Sequence, residues 1–530
     1  MKTKILLSIG AAAMLLASCS DFLDKTPLVN LAAETYYSNE EELNAAALGA
    51  YSVMQNETFQ LGHFMVWGDD CSDDADLGNS RSEAYSWFGA AAIACQNFSL
   101  LDNNGQAGSY WNQGWSLVND ATQLIVNATN NDIPNKDKYI GEGYFLRAYS
   151  YFNFVTQYGA MPVVDHVLSY DEYYMPRNTE EQTWAHIEND LKNAIELLPE
   201  EWDPTNLGRA TKGAAMSMLG KAYIYQKKWQ EAYDQLKKVE AADYYRLEPV
   251  YEHVFDLDHQ NGQECIFAIQ HSISGTGWAD SNEGSILVFY EHDAGLAKSD
   301  IDSGQYPGEE VYEKYMTGWS MHCPTDDLIA EFEDNDPRLK ATVIAPGEFY
   351  DGHIHYNLSS NNRYQSKKYY VPFEKRSKDD QSDQPKNIII LRYADVLLFL
   401  AEAANELGKT GEALQYLEMV RARARNSASA GAENVLPPVI TSGKDELRTA
   451  IWHERRVEFG MEYNRFYDLK RQGRVGEVMQ AYYQKYKDAN PYGYKTTKGR
   501  DFVIGKNEVC PIPRRAIDAS RGTMEQNPGY

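Results

Sequence analysis

Leu219-Gly220-Lys221-Ala222-Tyr223-Ile224-Tyr225, continuing Gln226-Lys227-Lys228-Trp229-Gln230-Glu231-Ala232-Tyr233-Asp234-Gln235-Leu236-Lys237-Lys238-Val239, is the stretch that decides the fold class. Gly220 and Ala232 are small enough to let two antiparallel helices approach closely, and Leu236 and Val239 fill the groove between them. A second pair of this kind reads from Ile388 to Arg425. Leu397, Leu400, Ala401 and Ala404 share one helix, Ala413, Leu417 and Val420 the next, and Gly408 to Gly411 makes the turn. A looser pair has one helix near Tyr139 to Tyr158 and another from Thr183 to Leu198, stopped by Pro199. A fourth pair begins near Lys444 and carries Leu447, Ile451 and Trp452. Upstream, Ser38 or Asn39 caps a helix over Asn39 to Asn56, with Glu41 or Glu42 three residues on.

Leu219, Gly220, Tyr223 and Ala232 have the spacing of a tetratricopeptide repeat. The pairs stand too far apart in sequence for a plain solenoid. The predicted fold is therefore mostly α: a tetratricopeptide-like scaffold of helix pairs near 139–240 and 388–470, with long irregular insertions and few short strands. Residues 60–116 and 272–385 lack a helical period and are rich in Gly, Asp, Asn, Ser and aromatics. Irregular stretches of this length inside a compact protein are usually functional. Trp67, Trp87, Trp111, Trp115, Trp278 and Trp319 fall in them, whereas Trp184, Trp202, Trp229 and Trp452 lie in or beside helix pairs and read as core.

Composition narrows the partners. The 77 acidic and 50 basic side chains give a formal charge of −27. That disfavours nucleic acid, which needs a basic face to release phosphate counterions, and attachment to anionic lipid by surface charge. The 38 Tyr and 10 Trp supply flat apolar faces with polar edges, suited to amphipathic ligands. Lys2 and Lys4 precede an apolar run from Ile5 to Ala17, too short to span a bilayer and suited to a signal peptide over residues 1–18. The run ends Leu16-Ala17-Ser18-Cys19, which resembles the bacterial lipobox and predicts acylation of Cys19. Ser20, Asp21 and Asp24 resemble the surface-export signal of Bacteroidota lipoproteins. The mature body, 19–530, is then expected as a single domain on the cell surface, anchored in the outer membrane by lipid. Cys71, Cys95, Cys265, Cys323 and Cys510 remain, an odd number without CxxC spacing, and read as buried free thiols.

A series of blocks in order gives the chain a family resemblance over nearly its whole length. They are Cys19-Ser20-Asp21-Phe22-Leu23-Asp24, Phe145-Leu146-Arg147-Ala148-Tyr149 with Tyr158-Gly159 and Pro162, Glu264 to Gln270, and Asp336-Pro337-Arg338-Leu339. Leu391 to Leu398 with Ala401-Glu402-Ala403 follow, then Val420-Arg421-Ala422-Arg423, Glu454 to Phe459, and Arg465-Phe466-Tyr467-Asp468-Leu469. Pro511-Ile512-Pro513 and the closing Asn527-Pro528-Gly529-Tyr530 complete the set. In these the chain resembles the SusD/RagB-like nutrient-binding lipoproteins of Bacteroidota. The resemblance implies a surface protein that binds glycan fragments or another nutrient and caps a SusC-like TonB-dependent transporter. It implies no catalysis.

The residues taken alone agree. Glu454, Arg455, Arg456, Glu458, Arg465 and Asp468 place carboxylates and guanidiniums within a few helical turns, as a structural ion-pair network would. No G-x-S-x-G occurs, His453-Glu454 lacks the second His of H-E-x-x-H, and Gly408-Lys409-Thr410 follows Ala403 where a phosphate loop needs Gly. No metal or cofactor is expected. Asp69, Asp70, Asp73, Asp74 and Asp76 could gather around a structural Ca²⁺, and His353 with His355 could share a strand face, though neither spacing is that of a metal motif. The two insertions are expected to meet in a shallow platform. Trp87, Trp278 and Trp319, then Trp67 and Tyr290, would stack on sugar rings, with Arg81, Asp73 and Asn97 taking hydroxyls. A peptide-binding member of the same family, a surface glycoside hydrolase and an adaptor without a ligand of its own remain as rival readings.

Overall fold

A computed structural model describes residues 37–77, 86–106, 108–273, 283–291, 318, 321–351, 353–355, 363–377, 383–428, 435–488 and 496–530. The signal peptide, Cys19, Arg81, Trp278 and Trp319 lie outside them. The longer helices are α1 (Glu40–Gln55), α2 (Ser86–Asn97), α3 (Ser109–Asn130), α4 (Lys136–Tyr158), α5 (Glu180–Leu197), α6 (Lys212–Tyr225) and α7 (Trp229–Ala242). The second half adds α8 (Tyr393–Glu406), α9 (Thr410–Asn426), α10 (Lys444–Phe459), α11 (Arg465–Gln472) and α12 (Val475–Tyr486). Strands are few and short, as expected: β1 (Ala75–Asp76), β2 (Cys265–Ile269), β3 (Cys323–Pro324), β4 (Ile388–Arg392) and two further two-residue pairings. No described helix is long and apolar enough to cross a membrane.

The expected pairs are present and they stack. Helix α3 packs on α4, α4 on α5, α5 on α6, α6 on α7, and α8 on both α9 and α10. Helix α7 also packs on α8, about 150 residues later in the chain, so the repeats continue in space across the second insertion. The antiparallel pairing of β2 with β4, Cys265 opposite Arg392 and Ile269 opposite Ile388, closes that insertion at its base. A Cβ on Gly220 would stand 2.3 Å from Leu236 Cδ2, and Ala232 is fully buried, so the small residues do allow the close contact of α6 with α7. Gly408, at φ +75°, makes the turn between α8 and α9, a conformation that suits glycine.

The described residues of 60–116 differ from expectation, for they are largely helical. A buried π-helix, Leu61–Asp70, is followed by α2 and the start of α3. All ten residues of the π-helix are buried, so it has no polar face, and its i→i+5 bonding departs from the 3.6-residue period. Helix α2 is short and carries Ala90, Ala91, Ala92 and Ala94, which gives little amphipathic contrast. The second insertion is irregular in its described parts, with helices of six residues and strands of two.

The scattered sequence blocks converge on one buried ionic network. Glu458 of α10 accepts from Arg392 Nη1 at 2.6 Å and Arg338 Nη1 at 3.2 Å, and pairs closely with Arg423. Arg392 also reaches Glu264 at 2.7 Å and Glu462 at 2.9 Å, and Arg423 reaches Glu264 at 2.6 Å. Glu454 bridges Arg338 and Arg421 at 2.6 and 2.9 Å. Arg455 joins Asp395 to Asp468, and Asp468 continues to Arg471 and Glu402. In α4, Arg147 makes a fork to Asp190 of α5 at 2.7 and 2.9 Å. These carboxylates serve the scaffold, as the sequence reading held. Cys71, Cys95, Cys265 and Cys510 are free thiols, and burial pushes those of Cys71, Cys95 and Cys510 upward.

Candidate ligand platform at the junction of the two insertions

The two insertions meet, and their meeting point is built from the π-helix outward. Gly68 lies so close to the scaffold that a Cβ there would fall 2.3 Å from the Tyr463 carbonyl oxygen. That approach lets Asp69 accept the backbone N–H groups of Tyr463 at 2.8 Å and Arg465 at 3.2 Å. The next residue, Asp70, lies 2.8 Å from Nδ1 of His322, which belongs to the second insertion, and His322 Nε2 is 3.6 Å from Asp69. Strand β1 then pairs antiparallel with β3, Ala75 opposite Pro324 and Asp76 opposite Cys323. The Thr325 N–H donates to the Asp74 carbonyl at 2.9 Å. Across the same junction Tyr290 donates to Glu57, and Tyr463, stacked on Tyr369 with centroids 5.1 Å apart, donates to Glu291.

The junction is buried and strongly polarised. Burial alone would push the His322 imidazole down, but Asp70, Asp69 and Glu291 outweigh it and hold the ring well above its ordinary value. Burial raises Asp70 to about 6 and Glu291 to about 7. Asp73 is held low: burial opposes, and the Arg456 and Arg465 guanidiniums prevail.

This geometry reassigns four expected ligand contacts. Trp67 is 1% exposed and packs edge-on against Phe466 and Phe98 at 5.4 and 6.4 Å. Tyr290 is equally buried, with its hydroxyl on Glu57. Asp73 forms a fork with Arg465 at 2.8 and 3.1 Å and also meets Arg456. Asn97 accepts from Thr497 at 2.9 Å through its side chain and from Asp501 through its backbone. All four are foundation, because Trp67 is enclosed by aromatic rings and the other three are buried and already hydrogen-bonded, which leaves no face for a sugar. Trp87 lies in α2, but its side chain is outside the described residues, as are Arg81, Trp278 and Trp319 altogether.

The aspartates that could have gathered around a Ca²⁺ separate onto other partners. Asp69 takes backbone N–H groups, Asp70 takes His322, Asp73 and Asp74 take Arg456 and Arg465, and Asp76 takes Arg363 at 2.9 Å. Among the described residues no three His, Cys, Asp or Glu side chains are arranged to hold a metal. His355 is buried against Gln365 and the Tyr350 carbonyl. Sequence reasoning missed His322, Glu291 and Tyr463, which stand in no motif and are joined only by the fold. It also passed over a groove of about 310 Å³ along α3, lined by Trp111 and Trp115. The recurrence of 111, 115, 119 and 123 on one helical face would have drawn attention to it.

Comparisons with known proteins agree with this architecture. A model described as the SusD family matches residues 263–530, and one described as starch-binding, associating with the outer membrane, matches residues 21–224. "SusD-like protein P2" of Formosa agariphila is 28% identical over 97% of this chain and 97% of its own length. A "SusD-like protein" of Bacteroides ovatus is 28% identical over 88% of this chain and 82% of that protein. Among solved structures, a "Laminarin binding SusD-like protein" superposes with a TM-score of 0.72 at 25% identity, covering 93% of this chain and 100% of that one. A SusD homolog from Bacteroides thetaiotaomicron reaches 0.78 at 20% identity, covering 96% and 99%.

Proposed function

The chain belongs to the SusD family, and from that premise we propose that it is a surface-exposed glycan-binding lipoprotein, anchored through Cys19 in the outer membrane, that captures an oligo- or polysaccharide and delivers it to a SusC-like TonB-dependent transporter. The observation that carries this reading is the junction. Two aromatic-rich insertions are locked to one rigid floor by β1–β3 pairing and by His322 against Asp70. Trp319 stands three residues before His322, and Trp87 lies in α2, whose last residue, Asn97, is tied to the scaffold. Loops fixed at their base present aromatic faces at little entropic cost, which is what a weakly solvated sugar face needs. A relative named for laminarin binding supports a glycan as the ligand class. The acidic carboxylates that a hydrolase would need are, in the scaffold blocks, already committed to Arg.

Calorimetric titration of residues 20–530 against a panel of oligosaccharides, polysaccharides and short peptides tests the ligand class. Saturable heat with one glycan class is expected. Trp87→Ala, Trp278→Ala and Trp319→Ala should each weaken it by about tenfold, and unchanged affinity in all three would remove the platform. Cys19→Ala should release the protein from the membrane fraction and from protease attack on intact cells. Mild detergent extraction of the native lipoprotein should bring the transporter with it.

A further inference from the structure

We propose that the groove along α3 is a second saccharide site, remote from the junction and suited to the uncharged end of a glycan chain; the inference rests on the glycan-binding reading above. The groove begins with one face of α3, where Trp111, Trp115, Asn119 and Gln123 follow one another at four-residue spacing. Its opposite wall is the segment after Gly159, which contributes Val164, Tyr173 and Met175. At about 310 Å³ it is the size of a small-molecule site.

The walls are rigid before any ligand arrives. The Trp115 ring is held edge-on by Tyr151 at 6.2 Å and tilted against Phe154 at 5.1 Å, and Trp111 packs against it at 6.1 Å. The facing segment is pinned by Tyr151, whose hydroxyl donates to the Pro162 carbonyl and accepts the Val164 N–H at 2.8 Å. Asn178 accepts the Val163 N–H at 2.8 Å, and a capping box ties Ser169 to Glu172. Trp111 is itself 6% exposed and backs the groove, so the accessible aromatic surface is that of half-buried Trp115 and exposed Tyr173, and a concave surface fixed in this way meets little ordering cost on binding. Tyr173 stands 63% exposed and Tyr170 71%, their rings 6.4 Å apart on the rim, so apolar faces are left in water where a folded chain would ordinarily cover them.

Charge selects among occupants. No Lys or Arg lines the groove among the described residues, and its one ionisable imidazole, His166, is bracketed by Asp165 at 2.8 Å and Glu172 at 3.0 Å. A sulfated or uronic chain would meet those carboxylates with no Lys or Arg to pair with, and the His166 imidazole is already engaged by both. A purely apolar partner would strip water from the Asn119 and Gln123 amides, of which Asn119 donates to Asp120 and Gln123 accepts from Asn127, without offering a hydrogen bond in its place. Indole and phenol faces beside neutral amides fit a pyranose, which has an apolar face and uncharged hydroxyls at its edge.

The test uses residues 20–530 and three neutral probes: laminarihexaose, cellohexaose and maltohexaose. For whichever probe binds, native mass spectrometry should count two oligosaccharides per chain. Hydrogen exchange should then show protection of 109–123 and 162–175. The triple variant Trp87→Ala/Trp278→Ala/Trp319→Ala should keep one bound oligosaccharide, and adding Tyr173→Ala, an exposed position that leaves the fold intact, should weaken that residual binding about tenfold. Trp115→Phe is the milder second variant and should reduce it less. One oligosaccharide per wild-type chain, with the groove unprotected, would overturn the second site and leave the proposed function standing. No binding of any neutral glycan to the wild type would overturn both. Protection of the groove by oligogalacturonate, or only in complex with the transporter, would refute an uncharged saccharide as its occupant.

Discussion

Glu458 shows how one residue carries a large part of the fold. It is fully buried, and burial alone would raise its carboxyl, yet Arg423, Arg392 and Arg338 pull it well below the ordinary carboxylate range. Removing one partner from such a cluster leaves uncompensated buried charge, so Glu458→Gln should cost about 3–5 kcal/mol, read as a lower urea midpoint. Asp468 adds a pH signature. Burial pushes it up, but Arg455 and Arg471 more than reverse this and hold it at about 2, against about 3.9 in an unfolded chain. The stability it supplies is therefore present above about pH 4 and lost as pH falls toward about 2. Asp468→Asn should be less stable at neutral pH and show a shallower acid limb in stability measured against pH; an unchanged limb would mean that Asp468 is not among the groups that drive acid unfolding. The local part of this network, Glu454, Arg455, Glu458 and Asp468, is legible in the sequence. Its partners Arg338, Arg392 and Arg423 lie 120, 66 and 35 residues from Glu458, and only the fold decides such pairings. The same limit explains Asp73, which reads identically as a surface hydroxyl contact and as a buried mate for Arg465.

At the scale of elements, helix pairs announce themselves when one face is polar and fall silent when none is. Helices α6 and α7 were legible because Gly220, Ala232 and Leu236 sit at fixed spacing. The contact between Gly220 and Leu236 is testable as a unit. Gly220→Ala forces Leu236 aside and should cost about 1–3 kcal/mol by overpacking, and Leu236→Ala should cost about 2–5 kcal/mol through its cavity. In the double variant the added methyl enters the space that Leu236 vacated. The two costs should then fall short of additive in a thermal or denaturant double-mutant cycle. Strict additivity would show that α6 and α7 do not bear on each other at this point. The π-helix Leu61–Asp70 is the opposite case, buried on every side and outside the 3.6-residue period, so Trp67 looked like a loop aromatic available to ligand. Trp111 and Trp115 lie beyond that helix, on the face of α3 that lines the groove, Trp111 buried and Trp115 half-buried, and there the helical spacing does carry information.

For the molecule as a whole the decisive question is what keeps two insertions, separated by the helical stack in sequence, acting as one surface. Tyr463 and Arg456 of the scaffold touch both insertions, and β1–β3 with the His322 cluster joins the two directly. His322 faces Asp70 and Asp69 from the π-helix and Glu291 from its own insertion, while Lys498 acts on Asp70 from the C-terminal segment. With its folded value held above the ordinary 6.5, the ring contributes stability that is complete below the unfolded value and is lost as pH rises through the folded one. The junction should accordingly be tight at neutral pH and loosen on the alkaline side. Amide exchange in 70–77 and 321–325 should accelerate there, beyond the intrinsic pH effect, before α4 and α8 respond. His322→Asn removes the charge while keeping a donor of similar reach. It should speed exchange at both strands already at neutral pH, abolish the alkaline step and lower glycan affinity at the platform, with the groove along α3 unaffected. Equal loosening of α4 and α8 would mean that the junction is continuous with the scaffold, and the insertions would then owe their alignment to the stack as a whole.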